Sequence, residues 1–521
     1  MKLELFIVTG VPPEIQAYAM AKYSRSSQSM LDSLAELTAA KAEQFLETFY
    51  FQYGHRSIAD LAHLFFAVEE ISILAAIVLV DEPLWDGQER STRYQDFSRT
   101  GYIVPPDLPP AEAERFRAVA DQLFAEYRAL STALHEQLMA AVPRPETMDP
   151  GQYRRTLRAR AFDVARGVLP LATATSVGQV VSARVLEGQI SRLLADDYPE
   201  VRQLGEELRA ACLRPAEAPL LAKLQERVEA LAGLAGLPEA ARPVLEELRA
   251  LLAPAPLAPT LVRYTAPDEY RPRIHRQLQQ IAQRELNGLP PDDRKRVELA
   301  DEETPLDEVV TTALFSADRY GRSYRQIQGV VRGWSEERKR AVLDLTLSCR
   351  GRHDELLRLH RAGYAVKFDL LIDLGAYRDF HRHRRCVQVL QPLSPLFGAE
   401  PGEAVFRVGL GPAAEPALAA GLHRRYDAAI ARAHTAAREL AATYPLAATY
   451  LLPLATRCRS VFKMDLAGAA YIAELRTRPS GHFSYRQAAW QMAQALRERF
   501  PQFAAHVRAV DPNAPVDLLE R

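Results

Sequence analysis

Cysteine is scarce in this 521-residue chain: four are present, Cys212, Cys349, Cys386 and Cys458, and they are scattered. None has the close pairing of a zinc site or a disulfide framework, so no metal site is expected and a reducing, cytoplasmic setting is. An excess of charge of one sign is also missing, since 65 Lys and Arg against 66 Asp and Glu leave a formal net charge of -1. Nucleic-acid affinity rests on clustered cations, so a general polyanion binder is disfavoured and any anion site must be local. Long apolar runs are absent as well. The opening MKLELFIVTG is interrupted at once by polar residues and reads as a β-strand, neither a signal peptide nor a span, so no membrane partner is expected.

What the chain does have is 48% hydrophobic residues over a length too great for one ordinary domain, which calls for two or three. From Leu208 to Pro259 it is rich in Ala, Leu, Glu and Pro, with helical periodicity over Leu220 to Leu251, and reads as a helical connector. The flanks repeat each other. GVLPLATAT (Gly167 to Thr175) matches YLLPLATRC (Tyr450 to Cys458), and helical segments follow each, Ser182 to Leu194 then Glu200 to Leu208, and Met464 to Arg476 then Tyr485 to Leu496. Earlier, the run from Gly54 parallels the run from Gly351, each a polar turn, a helix and an alternating, strand-like stretch. The shared order points to a duplicated α+β domain, with a first copy at 1–215, a connector at 216–259 and a second copy at 260–521.

Three constellations carry possible chemistry. In GQERSTRYQDF, an extended backbone would turn Glu89, Ser91 and Arg93 to one side at about 3.3 Å per residue, a set suited to a phosphate and a sugar hydroxyl, or simply a solvated loop. In YRDFHRHRRC (Tyr377 to Cys386), a helix would place Arg378, Arg382 and Arg385 on one face, with Asp379 four before His383. That density of donors suits a pyrophosphate or phosphate, and equally a solvated or RNA-contacting patch; the apolar run before it favours a buried site. Single arginines, Arg166 and Arg476, stand beside the repeated core motifs. Cys386 has no identified base beside it and reads as structural.

Together these motifs resemble the flavin-dependent thymidylate synthases, whose pattern is a GH turn, an RHR triplet, an ExSxRY segment, an RxxLP element and an NLR-type arginine. The first copy has Gly54-His55, then Glu89, Ser91, Arg93 and Tyr94, and Arg166 before Leu169-Pro170, but Asp81 and Glu82 stand where RHR would be. The second copy has Arg382, His383 and Arg384 as an intact RHR and Arg476 in the ELR element, but no SxRY, and Thr449 replaces the RxxLP arginine. The losses are complementary. The resemblance implies a fused pair that builds one composite site and lets the reciprocal site decay.

The resemblance further implies that Glu89, Ser91, Arg93 and Arg166 hold deoxyuridylate, that Arg382 and Arg476 close over the pyrimidine, and that Arg382, Ser91 and Arg93 act in catalysis. His55, Ser57, Arg184, His383, Arg384 and Asp465 would contact FAD, with NADPH and methylenetetrahydrofolate as co-substrates. It implies a homodimer that reproduces a family tetramer. Departures are Asp379 in place of a family glutamine, Ser182 and Asp465 in place of a family asparagine, and a Pro- and Gly-rich insert, 391–412, suited to a lid or an obstruction. These leave two further readings, a same-fold flavoenzyme acting on another nucleotide and a non-catalytic nucleotide- or RNA-binding paralogue.

Overall fold

In the computed structural model, the structure describes residues 10–23, 30–35, 56–262, 265–269, 272, 295–299, 306–317, 324–347, 360, 365–514 and 517–519. The expected opening strand, His55 and most of the run from Gly351 lie outside them. The chain is mixed α+β and divides into two compact units, each discontinuous: 1–69, 78–88 and 177–287 form one, and 70–77, 89–176 and 288–521 the other. Among the described residues no helix is long and apolar enough to cross a membrane.

The elements used below are, in chain order, β1 (His63–Ser72), α1 (Ile73–Leu79), β2 (Asp86–Glu89), α2 (Pro110–Ala141), α3 (Pro150–Ala165), β3 (Ala174–Ser182), α4 (Ala183–Leu194), α5 (Pro199–Leu213), α6 (Pro219–Ala232) and α7 (Ala241–Leu251). They continue with β4 (Val297–Leu299), β5 (Ala365–Asp373), α8 (Leu374–His381), β6 (Val387–Leu390), α9 (Gly402–Leu410), α10 (Leu422–Ala441), β7 (Arg457–Asp465), α11 (Leu466–Arg476) and α12 (Phe483–Arg499). Strand order is β1-β3-β2 in one sheet and β4-β5-β7-β6 in the other, so the first order recurs as β5-β7-β6 with an edge strand added. In the second sheet β5 pairs antiparallel with β7 from Ala365↔Asp465 to Asp373↔Arg457, and β6 takes the other side of β7. The alternating burial of β5 and β7 turns one face to the core, where Phe368, Leu370 and Phe462 are fully buried.

Four strands pass directly into a helix, and in each case the last strand residue caps it. Ser72 Oγ accepts from Ala75 N (2.9 Å) and Ser182 Oγ from Val185 N (3.3 Å) in the first half of the chain. Asp373 Oδ1 accepts from Ala376 N (2.9 Å) and Asp465 Oδ1 from Gly468 N (2.6 Å) in the second. A short polar acceptor at this position satisfies an otherwise orphaned helix N–H, which is why serine and aspartate interchange here. Ser182 and Met464 were expected to begin helices. Instead Ser182 caps α4, and β7 runs on through Met464 to the cap Asp465.

The repeated Pro-Leu-Ala-Thr segments do the same job twice. Carbonyls of Thr173 and Leu171 accept from Ile73 N (2.9 Å) and Leu74 N (3.1 Å), and those of Thr456 and Leu454 accept from Leu374 N (2.9 Å) and Gly375 N (3.0 Å), at the starts of α1 and α8. The two segments also pair with each other across an antiparallel bridge at Pro170 and Pro453. Leu171 N donates to Leu452 O (2.9 Å) and Ala172 N to Tyr450 O (2.8 Å), while Leu454 N donates to Leu169 O (2.9 Å) and Ala455 N to Gly167 O (3.0 Å). This exchange is symmetric about the bridge. It aligns Arg166, whose carbonyl accepts from Leu169 N (3.0 Å), with Thr449, whose carbonyl accepts from Leu452 N (3.1 Å).

Gly167 permits the close approach of Tyr426 of α10 to this segment. A Cβ there would lie 2.2 Å from the Tyr426 hydroxyl and 2.9 Å from two ring carbons of that fully packed side chain. Gly167→Ala is therefore expected to cost about 1–3 kcal/mol of stability as overpacking. In a Tyr426→Phe background, which removes the nearest atom, part of that loss should return. Urea unfolding of the four proteins checks this; an equal loss in both backgrounds would refute the contact.

The 391–412 insert is not a bare loop. It forms a 3-10 turn, Pro395–Phe397, and then α9. The connector forms α6 and α7.

Candidate functional site

Strand β2 stops at Glu89, and the chain turns at once, with Ser91 O accepting from Gln95 N (3.1 Å) and Ser91 Oγ from Arg93 N (3.3 Å). A serine that bonds its neighbours' backbone favours a turn over an extended strand. Glu89, Ser91 and Arg93 therefore do not share one side, contrary to the expectation from an extended backbone. Glu89 instead pairs with Arg378 of α8.

Arg93 turns inward and is 7% exposed. Its Nε and Nη2 donate to the two carboxylate oxygens of Asp163 on α3 (2.8 and 3.3 Å), Nη1 to Tyr485 Oη (3.0 Å) and Nη2 also to Ser480 O (3.0 Å). Burial opposes the Arg93 charge, but the Asp163 carboxylate outweighs it and holds the guanidinium above its ordinary pKa. Tyr485 sits between two cations, with the Arg93 and Arg476 guanidinium carbons 5.6 and 5.3 Å from its ring centroid.

Arg166, at the end of α3, is 4% exposed and donates from Nη1 to Thr92 Oγ1 (3.3 Å). Its Nη2 makes no hydrogen bond and lies 3.6 Å from Asp379 Oδ2, while Arg476 Nη1 lies 4.0 Å from Asp379 Oδ1. Burial raises the Asp379 pKa, yet Arg166, Arg476, Arg93 and Arg382 together hold it below the ordinary carboxylate value. The Asp379 carboxylate thus feels all four of these arginines.

Helix α8 ends at His381, so Arg382 to Arg385 form a turn and the expected single arginine face does not exist. Arg378 remains on the helix and is buried, whereas Arg382 and Arg385 are exposed. His383 Nε2 accepts from Arg476 Nε (2.8 Å), which fixes the proton on Nδ1. Burial, with Arg476 and Arg382 adding, pushes the His383 pKa down to about 3. His482, fully packed, donates from Nε2 to Asp163 O (2.8 Å) and accepts at Nδ1 from Ser484 N (3.2 Å), so it too is neutral. Cys386 Sγ donates to His383 O (2.8 Å), and burial pushes its thiol up to about 11, as suits a structural cysteine.

The remaining expected residues are placed separately. Asp465 is occupied as the cap of α11, and Arg384 lies in the turn after α8. In the other unit, Arg184 pairs with Asp60 (2.8 Å) at the surface and Ser57 is exposed on a 3-10 helix. His55 lies outside the described residues.

Beside Arg166 lies a cavity of about 100 Å³, lined by Arg166, Asp373, Tyr426 and His482, with Val405 and Val408 of α9 as one wall. The insert therefore encloses space next to the arginine cluster. Asp163, His482 and Tyr485 were not singled out from the sequence. A lone aspartate in the apolar helix stretch AFDVA was the available signal, because a buried carboxylate requires a partner.

Comparison with known proteins bears on this arrangement. The chain is 26% identical to a UPF0159 protein of Chlamydia muridarum over 97% of its own length and 92% of that protein, and 25% identical to one of Chlamydia pneumoniae over 98% and 92%. It is 25% identical to a flavin-dependent thymidylate synthase of Clostridium tetani, over 36% of this chain and 71% of that protein. A model of the family described as thymidylate synthase complementing protein matches residues 7–216 and 317–502, on both sides of the connector. With most of its length matched in these two segments, the chain belongs to the thymidylate synthase complementing protein family.

Proposed function

We infer that the chain is a flavin-dependent thymidylate synthase that methylates deoxyuridylate, with methylenetetrahydrofolate as carbon donor and NADPH as reductant, at one composite site per pair of repeats. The observation that carries this reading is the meeting of Arg93 and Arg166, from before the connector, with Asp379, His383 and Arg476, from after it. Charge balance supports an anionic ligand. Four guanidinium groups, Arg93, Arg166, Arg382 and Arg476, face three carboxylates, Asp163, Asp379 and Asp373, while the nearby histidines are neutral. The remaining excess of positive charge suits an anionic group such as the phosphate of a nucleotide.

The residues present also fit a flavin. Neutral His383 packs edge-on to the exposed ring of Tyr471 (5.9 Å, 76°), an aromatic pair against which a flat ring can rest. The flavin, when bound, supplies the reducing hydride. Arginines over the pyrimidine would stabilise negative charge on its carbonyl oxygens as C5 becomes nucleophilic.

A second reading, the same fold acting on another nucleotide, is favoured by Asp379. An ionised carboxylate accepts hydrogen bonds and donates none, so it suits an amino-bearing base edge such as that of cytosine better than a uracil carbonyl. The test is the visible spectrum of the protein with FAD, titrated with deoxyuridylate and separately with deoxycytidylate. Flavin bands perturbed by deoxyuridylate, lost in Arg382→Ala, and reduced flavin bleached by deoxyuridylate with methylenetetrahydrofolate are the expected results. A response to deoxycytidylate alone would select the second reading. Absence of flavin binding under any condition would sink both and leave a non-catalytic nucleotide- or RNA-binding paralogue.

A further inference from the structure

Helices α6 and α7 form a hairpin in the first unit, held by Gln225 Nε2 donating to Leu252 O (2.6 Å) and by Arg249 bound through two hydrogen bonds to Glu229 (2.7 and 2.6 Å). Each helix buries a single residue, Val228 in α6 and Leu245 in α7. The other apolar side chains stand in solvent. Leu220, Leu224 and Leu231 are 77%, 51% and 49% exposed, and Val244, Leu248 and Leu251 are 55%, 37% and 73% exposed. Each trio recurs at three-, four- or seven-residue intervals and so forms one stripe along its helix. Helices of 14 and 11 residues sit at or below the length that holds in water without packing. An apolar stripe on such a hairpin marks an interaction surface.

We propose that a second copy of this chain covers this surface, the hairpin of one protomer packing on the same hairpin of its partner about a two-fold axis, with α6 lying on the partner's α7. Charge selects this occupant. With Glu229 and Arg249 bound to each other, the exposed charges flanking the stripes at 100° per residue are Lys223 and Arg227 on α6, both positive, and Glu247 on α7, negative. A two-fold axis running parallel to the helices, between the two hairpins, brings these opposite sets together twice, which makes the surface complementary to itself. The interface needs nothing from the arginine cluster and stands whether or not the nucleotide reading does.

The test is sedimentation velocity on the full chain at micromolar concentration. The expected species has twice the 58.2 kDa chain mass. Leu224→Glu with Leu248→Glu should give a monomer with an unchanged circular dichroism spectrum. Lys223→Glu with Arg227→Glu should weaken the dimer by about tenfold, as should Glu247→Lys, and all three together should restore it. If the leucine variant does not fold, the charge variants carry the test alone. A monomeric parent chain, a dimer indifferent to these changes, or a combined variant no tighter than its parts would overturn the proposal. So would a monomer that instead retains a different protein through the same leucines.

Discussion

Asp163→Ala is expected to destabilise the protein by about 3–5 kcal/mol, the loss typical when one member of a buried ion pair is removed. Arg93 is then left at 7% exposure with only a phenol and a carbonyl as partners, neither of which carries charge. Arg93→Ala should also destabilise, because Asp163 is 3% exposed and would lose the guanidinium bound to both of its carboxylate oxygens. Replacing both, as Arg93→Met with Asp163→Leu, removes the charges together and should cost far less than the sum of the single changes. Urea unfolding of the set reads the coupling directly. Additive losses, or a single-site loss below about 1 kcal/mol, would show that the pair is not desolvated in solution.

The second large effect concerns acid. His383 titrates near 6.5 when unfolded and is pushed down to about 3 in the folded protein, first by burial and then by Arg476 and Arg382. Between these values the unfolded chain binds the proton that the folded one refuses. Stability is therefore intact above pH 6.5 and falls as pH drops through the window, by at most about 1.4 kcal/mol per pH unit from this group. His383→Gln keeps an acceptor for Arg476 Nε and does not titrate. Its urea midpoint is expected to fall less steeply between pH 6 and pH 4 than that of the parent; an identical slope would remove His383 from the acid response.

Much of the architecture was legible because the repeated elements use residues with strong local preferences. The Pro-Leu-Ala-Thr segments stand out in the sequence, and their backbone groups make matching bonds to the starts of α1 and α8. The alternation in AVKFDLLID follows the pleat of β5. Helical pattern over Leu220 to Leu251 corresponds to α6 and α7, although the break between them was not visible from periodicity alone.

The site was less legible, for two physical reasons. Two-residue spacing means convergence only while a strand lasts, and β2 ends at Glu89, before Ser91 and Arg93. Likewise the face shared by Arg378, Arg382 and Arg385 requires a helix that stops at His381. Local pattern also cannot reveal a partner far along the chain. Asp163 meets Arg93 only through folding, and Tyr485 meets both Arg93 and Arg476 from a helix whose sequence looks like ordinary core. Thr449 was matched to Arg166 from the motif alone, and the symmetric bonds around Pro170 and Pro453 give those two positions the same backbone role.

The mutual pairing of the two Pro-Leu-Ala-Thr segments bears on when the protein can fold. The Gly167 and Leu169 carbonyls and the Leu171 and Ala172 amides find their partners at 450–455, so the first segment is completed only when nearly all of the chain has been made. At about 5–20 residues per second of synthesis, that wait is on the order of tens of seconds. Throughout it the stretch holding Val168, Leu169 and Leu171, each 0% exposed in the finished molecule, lacks its pairing with 450–455. Such long-range closure makes for slow folding, and it makes the nascent first half a natural client of chaperones.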